Sequence, residues 1–411
     1  MPENWNTYIL SDFIDINPKV VLRKGEEYSF VEMKDLDSNY KYVSPSVSKE
    51  LKGGTRFQNG DTLFARITPC LENGKICQVK DLENNLGFGS TEFLVFRGKQ
   101  TISNSDFIFY LSRTSLFRKF SEAKMIGTSG RQRVDKDAFN NLELLLPSLP
   151  EQKSIASILS TLDDKIELNL QMNKTLEEMA MALYKHWFVD FGPFQEGEFV
   201  DSELGEIPKG WTNAVLGDLI NLNPRLSLAK GSLASFVEMK VLPIDVMSVS
   251  DVAQKEFKGG AKFQNGDTLF ARITPCLENG KTAFVDFLKP GEKAFGSTEF
   301  LVMRAKEGIS KYWTYCLARD TNFRNFAIST MVGTSGRQRV QNDPFLSYEI
   351  PQPPKEIFNS FSEIVEPWFQ QIRLNTIENI TLTQLRDTLL PKLISGEVRV
   401  KDAEKTLSEV L

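Results

Sequence analysis

The chain has 411 residues, 41 % of them hydrophobic and 25 % charged, with a net charge of -5; this is the make-up of an ordinary globular protein with room for two or three domains. No apolar run approaches the ~20 residues that span a bilayer, and Met1 to Leu10 lacks a basic start and an apolar stretch, so no membrane association and a cytoplasmic location are expected. Cys70, Cys77, Cys276 and Cys316 form no C-x-x-C pair and His186 is the only histidine, which argues against a zinc site and for reduced thiols.

Along the chain, the short apolar runs TLFARI, EFLVFR and LELLL, punctuated by Asn59-Gly60 and Asn73-Gly74, read as strands joined by tight turns. Asp106 to Lys124 sets Ile108, Leu111, Leu116 and Phe120 at helical spacing, so the first part is mixed α and β. From Pro150 the pattern turns helical, and Ile155, Leu159, Leu162, Ile166, Asn169, Asn173, Leu176, Ala180, Leu183 and Trp187 form a heptad seam with two polar layers, Asn169 and Asn173. An acidic linker follows, with five acids and no base from Glu196 to Glu206.

Then the chain begins again. FQNGDTLFARITPCLENGK at 57 to 75 recurs unchanged at 263 to 281, FVEMK at 30 recurs at 236, FGSTEFLV at 88 recurs at 295, and MIGTSGRQRV at 125 recurs as MVGTSGRQRV at 331. The displacement is 206 or 207 residues, half the chain, so the repeat is a whole domain plus its helix rather than a solenoid unit. The second seam runs through Phe361, Val365, Trp368, Ile372, Asn375, Asn379, Leu382 and Leu389, with Arg386 where Ala180 stood. Matching seams with matching asparagines predict that the two helices pair with each other, Asn169, Asn173, Asn375 and Asn379 setting the register. The short linker from Phe191 to Gly210 favours an antiparallel pair, since a parallel one would have to be spanned back over ~50 Å.

The acidic total hides two basic segments. Arg97 to Lys136 has nine Lys/Arg against three acids, and Arg304 to Asp343 has seven against three, as a bipartite nucleic-acid reader requires. Each contains Gly-Thr-Ser-Gly-Arg-Gln-Arg. Its glycines permit close approach to phosphate, Thr and Ser donate to phosphate oxygens, and Arg and Gln read base edges. The DNA-binding residues expected there are Thr128, Ser129, Arg131, Gln132 and Arg133, with Thr334, Ser335, Arg337, Gln338 and Arg339 in the second copy; the repeated nineteen residues add Arg66, Thr68 and Lys75, with Arg272, Thr274 and Lys281.

Catalytic signatures are few. There is no P-loop, and Asn342-Asp343-Pro344-Phe345 only approximates an adenine-methyltransferase loop, its first-copy counterpart being Lys136-Asp137-Ala138-Phe139. Glu32 and Lys34, and Glu238 and Lys240, with Asp12 and Asp218 upstream, loosely fit a metal-dependent nuclease. A scaffold or adaptor whose repeats bind protein is a further alternative.

The stretches LPEQKSIASILSTLDDKIELNLQMNKTLEEMAMALYKHWFVDFGPF (149 to 194), SELGEIPKGW (202 to 211) and LRDTLLPKLISGEVRV (385 to 400) resemble the specificity (S) subunits of type I restriction-modification systems over nearly the full length. The resemblance implies an α+β architecture of two similar mixed α/β target-recognition domains separated by two long helices in an antiparallel coiled coil with an internal pseudo-two-fold. The parts would be a first recognition domain at 1–148, a first spacer helix at 149–190, linker and second recognition domain at 191–354, and second spacer helix and tail at 355–411. It further implies a subunit without catalysis or cofactors that reads double-stranded DNA. Partner methyltransferase (M) and restriction (R) subunits would supply S-adenosylmethionine, ATP and Mg²⁺ chemistry. The near identity of the two copies adds the expectation of similar half-sites, making a near-palindromic split target.

Overall fold

A computed structural model of the chain describes residues 5–128, 130–249, 251–334 and 336–408. Its contacts resolve into two compact units, Met1–Leu168 with Asn379–Leu411, and Asn169–Glu378.

In the first unit, Thr62–Ala65 is buried at every residue on both faces, and such a strand must sit inside a sheet covered on both sides. It lies in a five-stranded sheet ordered Ile14–Ile16, Phe93–Gly98, Thr62–Ala65, Ile76–Val79, Tyr42–Val43. A second sheet of four runs Val47–Glu50, Glu27–Val31, Leu86–Gly89, Thr55–Gln58; its exposed edge strand carries Lys49 and Glu50, charges that discourage further strand addition. Asn59-Gly60 is a corner that passes the chain from one sheet to the other rather than a hairpin, because Thr55–Gln58 pairs with Leu86–Gly89 and Thr62–Ala65 with Phe93–Gly98. Behind the larger sheet, Phe64, Phe96, Phe117 and Phe139 form a ring cluster, Phe117 stacked on Phe139 at 5.3 Å.

The helix expected from Asp106 to Lys124 is two helices, Ser105–Arg113 and Ser115–Ala123. Thr114 breaks it, extended at φ -61° and ψ 147°, its side chain accepting from the Phe117 N–H as the N-cap of the second helix. The break turns Phe117 into the core and leaves Leu116 62 % exposed.

The second unit repeats this plan. Ile220–Leu222, Phe300–Ala305, Thr268–Ala271 and Thr282–Phe284 form one sheet, and Ala253–Glu256, Leu233–Val237, Ala294–Gly296 and Ala261–Phe263 the other. Asp320 takes the capping place of Thr114 between helices Lys311–Arg319 and Thr321–Ser329. Phe270, Phe323 and Phe345 rebuild the ring cluster.

Both units contain part of each long helix, Leu149–Tyr184 and Lys355–Ile394. In the first unit Asp163 pairs with Arg386 and the Ile166 carbonyl accepts from Asn379. In the second, Asn169 donates to Glu378 at 2.6 Å and Asn375 to Asn173 at 2.8 Å. Partner numbers fall on one helix as they rise on the other, so the helices run antiparallel within each unit. The seam is not their sole packing face. Phe369, next to the half-buried seam residue Trp368, is 2 % exposed and packs on Tyr312, Tyr315 and Phe284 of the globular part.

Candidate nucleic-acid interface

The Gly-Thr-Ser-Gly-Arg-Gln-Arg stretch of each unit is the tip of a two-residue ribbon, Met125–Ile126 with Arg133–Val134 and Met331–Val332 with Arg339–Val340. Gly127 at φ +135° and Gly333 at φ +138° begin the tip, and a Cβ at either would press within 2.9 Å of the Arg131 or Arg337 carbonyl oxygen. The glycines are required by the turn itself. Ser129 and Ser335 lie outside the described residues.

Folding uses several of the expected contact side chains. The Gln132 N–H donates to the Thr68 hydroxyl at 3.0 Å while the Thr68 N–H donates to the Gln132 carbonyl, and Thr274 and Gln338 repeat this clasp. Arg133 forks onto the Glu92 carboxylate from Nε and Nη2, as Arg339 does onto Glu299; these partners raise both guanidiniums above their ordinary range. The Lys75 ammonium donates to the Met33 carbonyl and Lys281 to that of Met239. Arg66 meets Asp135 at 3.4 Å, whereas Arg272, lowered by burial, donates to the Val340 carbonyl. Thr128, Arg131, Thr334 and Arg337 stand exposed. Arg131 and Arg337 project no side chain into an ion pair among the described residues.

Each unit thus brings Arg66, Thr68, Thr128 and Arg131 to Arg133, or their counterparts, around one loop, while Lys75 and Lys281 are tied back to the Glu-Met-Lys turns. Glu92 and Glu299, which orient the last arginine of the loop, sit in the repeated FGSTEFLV stretch; an acid kept in both copies beside a repeated basic loop was the available signal.

Much of the positive charge in the basic segments is consumed internally. Arg97 and Arg304 form bidentate pairs with the buried Asp61 and Asp267. Arg113 and Arg319 reach the backbone carbonyls of Ser38 and Ile244. The charge available to a ligand is therefore narrower than the sequence count.

The carboxylates of the nuclease alternative are also occupied. Lys34 and Lys49 hold Glu32 down to about 2, and Lys255 and Lys240 hold Glu238 below its usual range. Among the described residues no group of three or more His, Cys, Asp or Glu is placed to hold a metal, and no helix is long and apolar enough to cross a membrane.

Residues 2–178 match the family model described as the type I restriction modification DNA specificity domain. Relatives extend the likeness to the whole chain. The MjaIX specificity subunit of Methanocaldococcus jannaschii is 27 % identical, covering 98 % of this chain and 95 % of its own. The HindI specificity subunit of Haemophilus influenzae is 26 % identical, covering 96 % and 100 %. Over nearly its whole length the chain is similar to the specificity subunits of type I restriction-modification systems. The fold of this chain is shared with a crystal structure of a type I S subunit from M. genitalium, with a TM-score of 0.51 at 17 % identity over 95 % of this chain and 96 % of that one.

Proposed function

We propose that this chain is the specificity subunit of a type I restriction-modification system and that each of its units reads one half of a split double-stranded DNA target through its Gly-Thr-Ser-Gly-Arg-Gln-Arg loop. The paired helices would set the spacer and offer the docking surface for methyltransferase subunits. The observation that carries the reading is the pair of loops. In both units an exposed arginine, Arg131 or Arg337, stands at a glycine-framed tip whose backbone is clamped by Thr68 or Thr274. A clamped loop that keeps in solvent a guanidinium with no ion-pair partner among the described residues suits recognition of base edges or phosphates.

Repetition of the loop supports similar half-sites in inverted orientation, a near-palindromic split target. Asn173 and Asn375, bonded across the seam, suit a role in register. Methyl transfer and cleavage, with S-adenosylmethionine, ATP and Mg²⁺, fall to the partner M and R subunits.

The test is genome-wide mapping of methylated adenine in a host carrying the chain and its methyltransferase, with and without this gene. A split, near-palindromic motif that disappears on deletion supports the reading. A split but asymmetric motif moves base readout to the segments in which the two copies diverge, 35–56 against 241–262 and 76–87 against 282–294. Direct duplex-binding measurements that show no DNA binding would leave the scaffold alternative.

A further inference from the structure

The second unit has a cleft of about 560 Å³ beside its loop, lined by Asn223, Pro224, Arg225, Gly260, Lys262 and Arg272 among others. Its walls are shaped by the backbone. Asn223 sits at φ +50° with its carboxamide oxygen accepting from the Val302 N–H, which fixes the turn that carries Arg225. Gly260 sits at φ +119°, where a Cβ would run into the Gly296 carbonyl oxygen, so the strand bearing Lys262 passes close against Ala294–Gly296. Lys262 is steadied by the Leu226 carbonyl at 2.8 Å. Arg225 is exposed, and neither it nor the buried Nε–H of Arg272 has a partner among the described residues.

The first unit carries the same parts on the same elements. Asn17 is at φ +52° with its side chain accepting from the Val95 N–H, and Gly54 is at φ +121° with the same clash awaiting a Cβ. Lys19, Arg56 and Arg66 stand for Arg225, Lys262 and Arg272, and the Nε–H of Arg66 is again buried with no acceptor among the described residues. Lysine and arginine have traded places at two of the three positions while the charge persists, one of them at the end of a segment that otherwise diverges between the copies. A base edge distinguishes the fork of arginine from the point charge of lysine; a phosphate accepts either.

We infer that each unit holds a DNA backbone phosphate in this cleft, among Lys19, Arg56 and Arg66 in the first unit and Arg225, Lys262 and Arg272 in the second. The inference rests on the DNA-reading function proposed above and names residues outside the repeated loops. Arg272 joins cleft to loop, since its guanidinium also donates to the Val340 carbonyl next to Arg339. A phosphate anchored there sets the position of the loop over the bases.

The test uses the full chain with its methyltransferase subunits, a random-sequence duplex and a salt titration, comparing the parent with the double variant Lys19→Gln, Arg225→Gln. Both side chains are exposed and neither has a partner among the described residues, so the fold is unaffected. Loss of two phosphate contacts flattens the slope of log K against log salt by about 1.8, about 0.9 for each contact, and leaves the methylated motif unchanged. An unchanged slope overturns the inference alone. A changed motif makes these residues base readers and also overturns it. No duplex binding by the parent overturns the DNA reading and the inference with it.

Discussion

Arg386 and Asp163 form an ion pair of 2.6 Å with both side chains at 3 % exposure or less, and the Tyr110 hydroxyl donates to the second carboxylate oxygen at 2.7 Å. One repeat away the corresponding residues are Ala180, Phe369 and Cys316, all buried. The second unit instead sets Glu177 against Arg319 and the Tyr315 hydroxyl. A further pair is reversed in sign: Lys80 meets Glu167 in the first unit, where the second has Asp286 in the field of Arg373. The near-copies are therefore keyed differently to their helix segments. Removing one member of a buried pair strands the other, so Arg386→Ala is expected to cost about 3–5 kcal/mol. Adding Asp163→Phe and Tyr110→Cys, the set used by the other unit, should recover part of that loss in urea unfolding; a triple variant less stable than the single one contradicts the account.

Asp286 gives a pH dependence. Burial raises its carboxyl to about 6, against about 3.9 for an unfolded chain. The folded state holds the proton longer, so this group lowers the unfolding free energy as pH rises from about 4 to 6, with no further change above, by at most about 3 kcal/mol. Asp286→Asn should therefore stabilise the protein at pH 7 and not at pH 4. Arg373 is exposed and loses little with its partner. Urea unfolding at the two pH values checks this, and an equal effect at both would count against burial as the cause.

Arg131→Ala with Arg337→Ala is expected to abolish or relax methylation of the target, each lost contact being worth about 1–3 kcal/mol of binding. Neither side chain supports the fold, so melting should move by no more than about 0.5 kcal/mol equivalent. Full methylation by a folded double variant would remove the loop from the interface.

The Thr68 and Thr274 hydroxyls each accept from the loop backbone. Thr68→Val leaves the Gln132 N–H without its acceptor, at about 1–3 kcal/mol where the group stays buried. Faster amide exchange across 126–134, with exchange in Thr62–Ala65 unchanged, is the expected signature.

Asn173→Leu with Asn375→Leu replaces a polar layer by an apolar one. The helix pair should become more stable to heat and less particular in register. Cross-linking of cysteines introduced along the two helices reports the register, and a single unchanged pattern would mean that other contacts fix it.

The duplication, the strands around Thr62–Ala65 and Phe93–Gly98, the antiparallel helix pair and the likeness to type I specificity subunits were all legible in the sequence, because repetition and the two- and seven-residue periods are written locally. Tertiary structure alone decided which charges remain for a ligand. Arg97 and Asp61 lie 36 residues apart, Arg133 and Glu92 41 apart, and Arg386 and Asp163 223 apart. No local pattern links such partners, so a count of lysines and arginines takes spent cations for available ones. The break at Thr114 was likewise hidden, since helical spacing continues through it while the burial of Phe117 and the cap overrule the period. Arg225 was hidden for the opposite reason: it is an ordinary surface cation in sequence, as is its counterpart Lys19, and only the folded chain brings Arg225 into one cleft with Arg272.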